Sequence, residues 1–158
     1  VLQQNWFTAS HLRGSLGVIV FWSPRCHWCQ QLAGFFRQRS TTWAAQNVHL
    51  VLIASNAHET EADLIAGARA IGYTGHLLKD REHTVANAFG AMTTPHSFII
   101  DRGGMIVYQG GVTDRTFHTK PSVNHLDEAV TLLRKGIHPD PAETPAYGCA
   151  IVRDPAAL

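Results

Sequence analysis

The sequence predicts an α/β fold of three layers, with helices packed on a central mixed sheet and an irregular C-terminal tail. Three observations carry that reading. The runs GVIVFW (17–22) and VHLVLIAS (48–55) are short, rich in β-branched residues and apolar on both alternating faces, as strands buried in mid-sheet must be. Each is followed by apolar residues at helical spacing. Two more strand-like runs, HSFIID (96–101) and MIVYQG (105–110), are separated only by Arg102, Gly103 and Gly104, the spacing of an antiparallel hairpin, so the sheet is mixed.

In chain order, the first strand stops at Ser23 and Pro24. Beyond Cys26, the apolar residues Trp28, Leu32, Phe35, Phe36 and Trp43 follow helical spacing, with Gly34 a local weak point. Cys26 and Cys29 therefore sit at a strand-to-helix junction. The segment ETEADLIAGARAIG (59–72) puts Leu64, Ile65, Ala68 and Ile71 on one helical face, with Thr60 as cap, Asp63 near the positive end and Gly72 as the stop. HLLKD (76–80) is extended and leads to a brief helix ending near Phe89 and Gly90. After the hairpin, a polar stretch with Lys120 and Pro121 precedes a final helix, in which Leu126, Ala129, Val130 and Leu133 share a face and Gly136 ends it. The tail has four prolines and no helical period, and Tyr147, Ile151 and Val152 are its candidates for packing on the body. With no repeat and no dividing linker, residues 1–136 are expected to form one domain and residues 137–158 a tail packed on it.

Composition excludes several functions. At 158 residues, 45% apolar and 16% charged, the chain buries one sizeable core. Thirteen basic against twelve acidic side chains, without a basic run, lack the electrostatic footprint for nucleic acid. The longest strongly apolar run, Gly17 to Trp22, is too short to span a bilayer, so no membrane insertion is expected of this segment. The first residues lack the basic and apolar regions of a signal peptide, so a leader is expected to be lacking or removed. Three cysteines are too few for a disulfide-built scaffold, and their odd number leaves at least one thiol without an internal partner. Reactivity is the better first thought.

A cysteine near a helix N-terminus feels unpaired backbone N–H groups, which favour thiolate over thiol. Cys26 is thus the candidate nucleophile. Cys29, one turn later and less exposed, is the candidate resolving thiol. Between them, His27 if protonated would favour the Cys26 thiolate and make the couple more oxidising, about 30 mV for each ~1.4 kcal/mol. Trp28 is either an apolar lip for a partner protein or a core residue.

The stretches FWSPRCHWC and TTPHSFIID (93–101) resemble the thioredoxin-like superfamily, where an aromatic strand end runs into Cys-x-x-Cys and a Thr-Pro stands downstream. HLRGSLGVIVFWS, FGAMTTPHSFIIDRGGMIVYQGG and TPAYGCAIV look more like the bacterial redoxin branch, related to alkyl-hydroperoxide-reductase and membrane-anchored thioredoxin-like proteins, than like small thioredoxin. The resemblance implies a thioredoxin-like fold and a thiol-disulfide oxidoreductase, with Cys26 attacking and Cys29 resolving. It implies a cis Pro95 packed beside the pair, and a Thr94 backbone that offers hydrogen bonds to an extended substrate segment. Two positions depart from the pattern. Small thioredoxin has a buried Asp six residues before its first cysteine, where Val20 stands here, and the cytochrome-maturation branch has a Glu three residues after its second cysteine, where Leu32 stands. The resemblance calls for no organic cofactor, and implies protein thiol or disulfide substrates and a redox partner protein. A monomer is expected, with a periplasmic or otherwise extracytoplasmic location, compatible with low lysine content; cytoplasmic is the alternative.

Cys149 follows Gly148 in the irregular tail. It reads either as a third redox thiol that captures or relays a disulfide from Cys26 or as a buried tail residue packing as a small hydrophobe, and the second is preferred because a loop-borne thiol alone specifies no partner. The ten histidines are dispersed, without the i, i+4 spacing of a helical metal site. His96, next to Pro95, is the distant one that the fold would bring near the cysteines. The alternatives are a copper(I)- or zinc-binding module using both thiolates with His27 or His96, although no metal ligand set is complete in the sequence, and a thiol peroxidase. Ser23 stands three residues before Cys26, as in peroxiredoxins, but Ile19 replaces that family's proline.

Overall fold

Every residue of β1 (Leu16–Phe21) is buried, which is what a run apolar on both faces requires. The structure, a computed structural model, describes residues 9–157; the first eight residues of the expected domain lie outside them. Beyond β1 the chain passes Ser23 and Pro24 into α1 (His27–Gln30) and α2 (Ala33–Thr42). The single helix expected here is broken at Gln31 and Leu32. Leu32 N–H closes a tight turn on the Cys29 carbonyl (3.0 Å), and Phe36 N–H restarts the helix on the Leu32 carbonyl (3.0 Å). Cys29 and Phe36 are buried by this arrangement, and Trp28, Leu32 and Phe35 are packed at the core margin.

β2 (Val48–Ala54) lies parallel to β1, Leu16 opposite Val48. α3 (Glu61–Ala70) opens on a reciprocal cap: Asp63 N–H donates to Thr60 Oγ1 (3.1 Å) and Thr60 N–H donates to the Asp63 carboxylate (2.9 Å). β3 (His76–Lys79), α4 (Thr84–Phe89), the two-residue β4 (Thr93–Thr94), β5 (His96–Ile100) and β6 (Ile106–Gly110) follow. α5 (His125–Arg134) is capped by Asn124, whose Oδ1 accepts from Asp127 N–H (2.8 Å), and ends on Gly136 at φ +76°. Arg39 of α2 grips Asp127 of α5 through two bonds of 2.7 and 2.9 Å. The last strand, β7 (Cys149–Ala150), comes from the tail.

The main sheet has the order β3-β2-β1-β5-β6, its first three strands parallel and the β5–β6 hairpin antiparallel. Alternation along the strands makes two cores. Val18, Val20, Trp22, Leu50 and Leu52 pack with residues of α2, α3 and α5, while Ile19, Phe21, Val51, Ile53 and Phe98 pack against Leu12, Ala86 of α4 and Ile151 of the tail. Helices on both faces give the three layers.

The tail is more ordered than its prolines suggest. Gln109 N–H donates to the Ala142 carbonyl and Thr144 N–H to the Gln109 carbonyl, both at 3.0 Å, and β7 then pairs with β4 in a second, two-stranded sheet. Ile151 is buried and Tyr147 half-buried, as expected, but Val152 is 46% exposed. Its main chain makes the attachment instead: its N–H donates to Asn56 Oδ1 (2.8 Å) and its carbonyl accepts from Ala57 N–H (2.8 Å). Among the described residues, no helix is long and apolar enough to cross a membrane.

Candidate active site

The end of β1 delivers the cysteines to the rim of the first core. Cys26 is the cap residue of α1, 4% exposed, and Cys29 lies inside α1, 1% exposed. The Thr94–Pro95 peptide bond is cis, and the Thr94 carbonyl stands 3.2 Å from Cys26 Sγ. Thr94 Oγ1 is buried and, among the described residues, makes no hydrogen bond of ordinary geometry. A third thiol completes the cluster: Cys149 Sγ is 2.7 Å from Cys26 Sγ. Cys149 packs at the core margin but is only half-buried, not buried as preferred from the sequence, and the fold supplies the partner that its tail position did not specify.

The three thiols are electrically unlike. Hydrogen bonding from Cys29 does most to pull Cys26 down, against the cost of burial and with help from Cys149, to about 4 from an ordinary 9.0. Burial, then the neighbouring Cys26, pushes Cys29 well up. Burial followed by the same neighbour raises Cys149 to about 11, while the backbone N–H groups of His27 and Trp28 pull the other way. These opposite shifts favour the thiolate at Cys26 over its two neighbours. His27, expected to tune Cys26, is exposed, hydrogen-bonds the Gln31 side-chain amide (2.8 Å), and is not among the groups that lower Cys26.

Trp28 is half-buried. Its ring meets Phe117 edge-on at 5.2 Å, and the Arg115 guanidinium lies 4.6 Å from its centre; Phe117, 60% exposed, also packs against Tyr147. Trp28 thus joins α1 to the 113–123 loop and to the tail, forming an aromatic rim rather than core. The Thr94 main chain, expected to be free for a substrate segment, already pairs with the chain's own Cys149, and Thr93 with Ala150.

Sequence reasoning missed two buried carboxylates, Asp80 and, behind Ser23, Glu59. Val20 and Leu32 offer none, but Glu59 is 2% exposed, accepts from Ser23 Oγ and accepts from Asn56 Nδ2 (3.3 Å). Lys79 Nζ donates to the Asn56 and Glu59 carbonyls at 2.7 and 2.9 Å. Standing just before the Thr60 cap, Glu59 reads in sequence as a solvated loop acid, and nothing nearby in the chain marks it. The Ser23 hydroxyl donates to this carboxylate and also accepts from Arg25 N–H (3.2 Å).

His96 is not brought to the cysteines. It shares a strand face with Phe98, on which its ring stacks at 4.6 Å, and Phe98 belongs to the second core whereas Cys26 and Cys29 belong to the first. Among the described residues, no group of three or more His, Cys, Asp or Glu side chains is placed to hold a metal ion.

Residues 2–109 match the AhpC/TSA family. The chain belongs to that family. Among curated relatives, this AhpC/TSA chain is 27% identical over 94 residues to the thiol-disulfide oxidoreductase ResA of Geobacillus thermodenitrificans, covering 60% of this chain and 53% of that protein, so the chain spans about half the length of the curated relative it matches. Among solved structures, a hypothetical protein of Sinorhizobium meliloti 1021 is 30% identical, with a TM-score of 0.87 over 96% of this chain and 87% of that one. A secreted Mycobacterium tuberculosis disulfide oxidoreductase homologous to E. coli DsbE superposes with a TM-score of 0.59 at 18% identity, over 83% of this chain and 88% of that one. The AhpC/TSA chain therefore has the thioredoxin-like fold expected of it.

Proposed function

We propose that the chain is a thiol-disulfide oxidoreductase in which Cys26 and Cys29 form the redox couple. One observation carries this reading. Two thiols three residues apart have their affinities for a proton pushed in opposite directions, so one is the nucleophile and the other holds its proton until needed. The Cys26 thiolate attacks one sulfur of a protein disulfide, forming a mixed disulfide and expelling a thiolate. Cys29 then gives up its proton and attacks the Cys26 sulfur, expelling the second substrate thiolate, which takes up a proton. The substrate is reduced by two electrons and the couple oxidised; the reverse sequence oxidises a dithiol. Trp28, Thr94 and Pro95 shape the surface at which substrate meets the site, and a redox partner protein resets the couple without an organic cofactor. The likeness to a secreted disulfide oxidoreductase favours an extracytoplasmic location for the 1–136 domain and its 137–158 tail.

The test is a redox titration in glutathione or dithiothreitol buffers, read by thiol alkylation and mass mapping. A reversible Cys26–Cys29 disulfide in the wild-type chain and its loss in Cys26→Ser are expected; a chain that shows no such bond at any poise overturns the reading. A potential near about −120 mV makes it an oxidant and one near about −270 mV a reductant.

A further inference from the structure

We propose that Cys149 is the thiol through which outside proteins exchange with Cys26, the strand β7 being a built-in substrate that carries a Cys26–Cys149 disulfide as an intermediate. The proposal rests on the reading of Cys26 and Cys29 as the redox couple and replaces direct attack of Cys26 on the outside protein by relay through Cys149.

The geometry is that of a bound peptide. β7 lies antiparallel on β4 with Cys149 opposite Thr94, the manner in which an extended segment adds to a sheet edge, and it brings a thiol to 2.7 Å from the nucleophile. Gly148 permits the approach, since a Cβ there would stand 2.0 Å from the Thr94 carbonyl oxygen. The strand is pinned on both sides. Upstream, Thr144 Oγ1 accepts from Gly111 N–H (3.2 Å); downstream, Ile151 N–H donates to the Met92 carbonyl (3.0 Å), Arg153 to Asn87 Oδ1 (2.9 Å), and Asp154 N–H to His83 Nε2 (3.0 Å). Peeling β7 away would break these bonds together. Cys26 therefore stays covered at 4% exposure, and Cys149 is the partly exposed thiol of the three.

The steps balance. Starting from a Cys26–Cys29 disulfide, the Cys149 thiolate attacks the Cys26 sulfur; the Cys26–Cys149 bond forms, Cys29 leaves and takes up a proton in place of the one Cys149 lost, and no electrons enter or leave. An outside thiolate then attacks Cys149, because that sulfur is reachable and because the group expelled is Cys26. Cys26 leaves more readily than Cys149 would, its thiolate being far the weaker base. A second thiol of the outside protein attacks its partner sulfur in the mixed disulfide, Cys149 departs and is protonated, and the outside dithiol has become a disulfide.

The experiment equilibrates the Cys29→Ser chain in glutathione buffers, quenches with acid and maps cross-links by mass after non-reducing digestion. A Cys26–Cys149 cross-link is expected as the main oxidised species, with the same cross-link as a minor species in the wild-type chain. A short pulse of reduced glutathione on the cross-linked form should leave glutathione on Cys149. Glutathione on Cys26 with Cys149 free, or no Cys26–Cys149 cross-link in either protein, overturns the proposal. Gly148→Ala in the Cys29→Ser chain leaves all other thiols in place and should cut the cross-link yield at least about tenfold as the effective concentration of Cys149 is lost; an unchanged yield overturns the role given to the strand. A wild-type chain that never forms Cys26–Cys29 while the variant forms Cys26–Cys149 would instead sink the couple and leave the tail thiol standing.

Discussion

Cys26 stands between two thiols that reach it by different routes. Cys29 is carried three residues along by one short helix and is sealed in the first core; Cys149 arrives from 123 residues away on a strand and is partly exposed. The helix-borne neighbour does most to set the charge on Cys26, and the strand-borne neighbour covers it. Local geometry supplies the chemistry here, and long-range pairing governs access.

Acidity separates the two sides most strongly. Lowered to about 4, Cys26 favours thiolate at neutral pH, whereas Cys149, raised to about 11, favours thiol, so the two differ by more than the roughly hundredfold that separates an ordinary thiol from a fully ionised one. Mass-mapped alkylation from pH 3 to 10 should show Cys26 labelling rise through about 4 and then level off, with Cys149 labelling still climbing at the top of the range. A shared profile would erase the distinction. The same shifts act on stability. Cys26 has a folded pKa below its unfolded value, so its contribution to the reduced protein is complete above about 9 and is lost as pH falls to about 4; Cys149 has a raised one, so its contribution is present below about 9 and is lost as pH rises through about 11. Denaturant melts of the reduced protein should give stability rising from pH 5 to 8 on account of Cys26.

The helix side is sharpened next by Glu59→Ala. Removing the carboxylate strands the Ser23 hydroxyl and the Asn56 amide, and should cost about 1–3 kcal/mol in urea unfolding; because Asn56 also holds Val152 N–H, the tail should loosen with it. A loss confined to global stability, with Cys149 labelling unchanged, would show that the two sides are not linked through Asn56. Arg39→Ala is expected to have the smallest effect. The pair to Asp127 joins α2 to α5 in partly exposed surroundings and should be worth at most about 1 kcal/mol, with the redox potential unmoved.

Most of the first core was legible in sequence because its signals are local. Strands at 17–22, 48–55, 76–80, 96–101 and 105–110 lie within about a residue of those observed, and Thr60 with Asp63 caps α3 as read. The cysteine junction was legible for the same reason. What escaped depends on pairing between distant segments. β4 and β7 are two residues each, too short for any period, and exist because Thr94 and Cys149 meet across the fold. Glu59 is buried by Ser23 and Lys79, neither of which adjoins it in sequence. His96 was misplaced by proximity to Pro95, since alternation along β5 turns its ring to the face of Phe98.

The span between the strand-borne thiol and Cys26 also bears on how the oxidised chain melts. A bond closing a loop of that length removes conformational freedom from the unfolded chain worth about 5 kcal/mol in the chain-entropy account, against about 2 kcal/mol for the short Cys26–Cys29 ring. Two oxidised forms of equal electron count would then differ in melting temperature, the Cys26–Cys149 form being the more heat-resistant, and calorimetry could tell which bond the molecule holds without any chemical label.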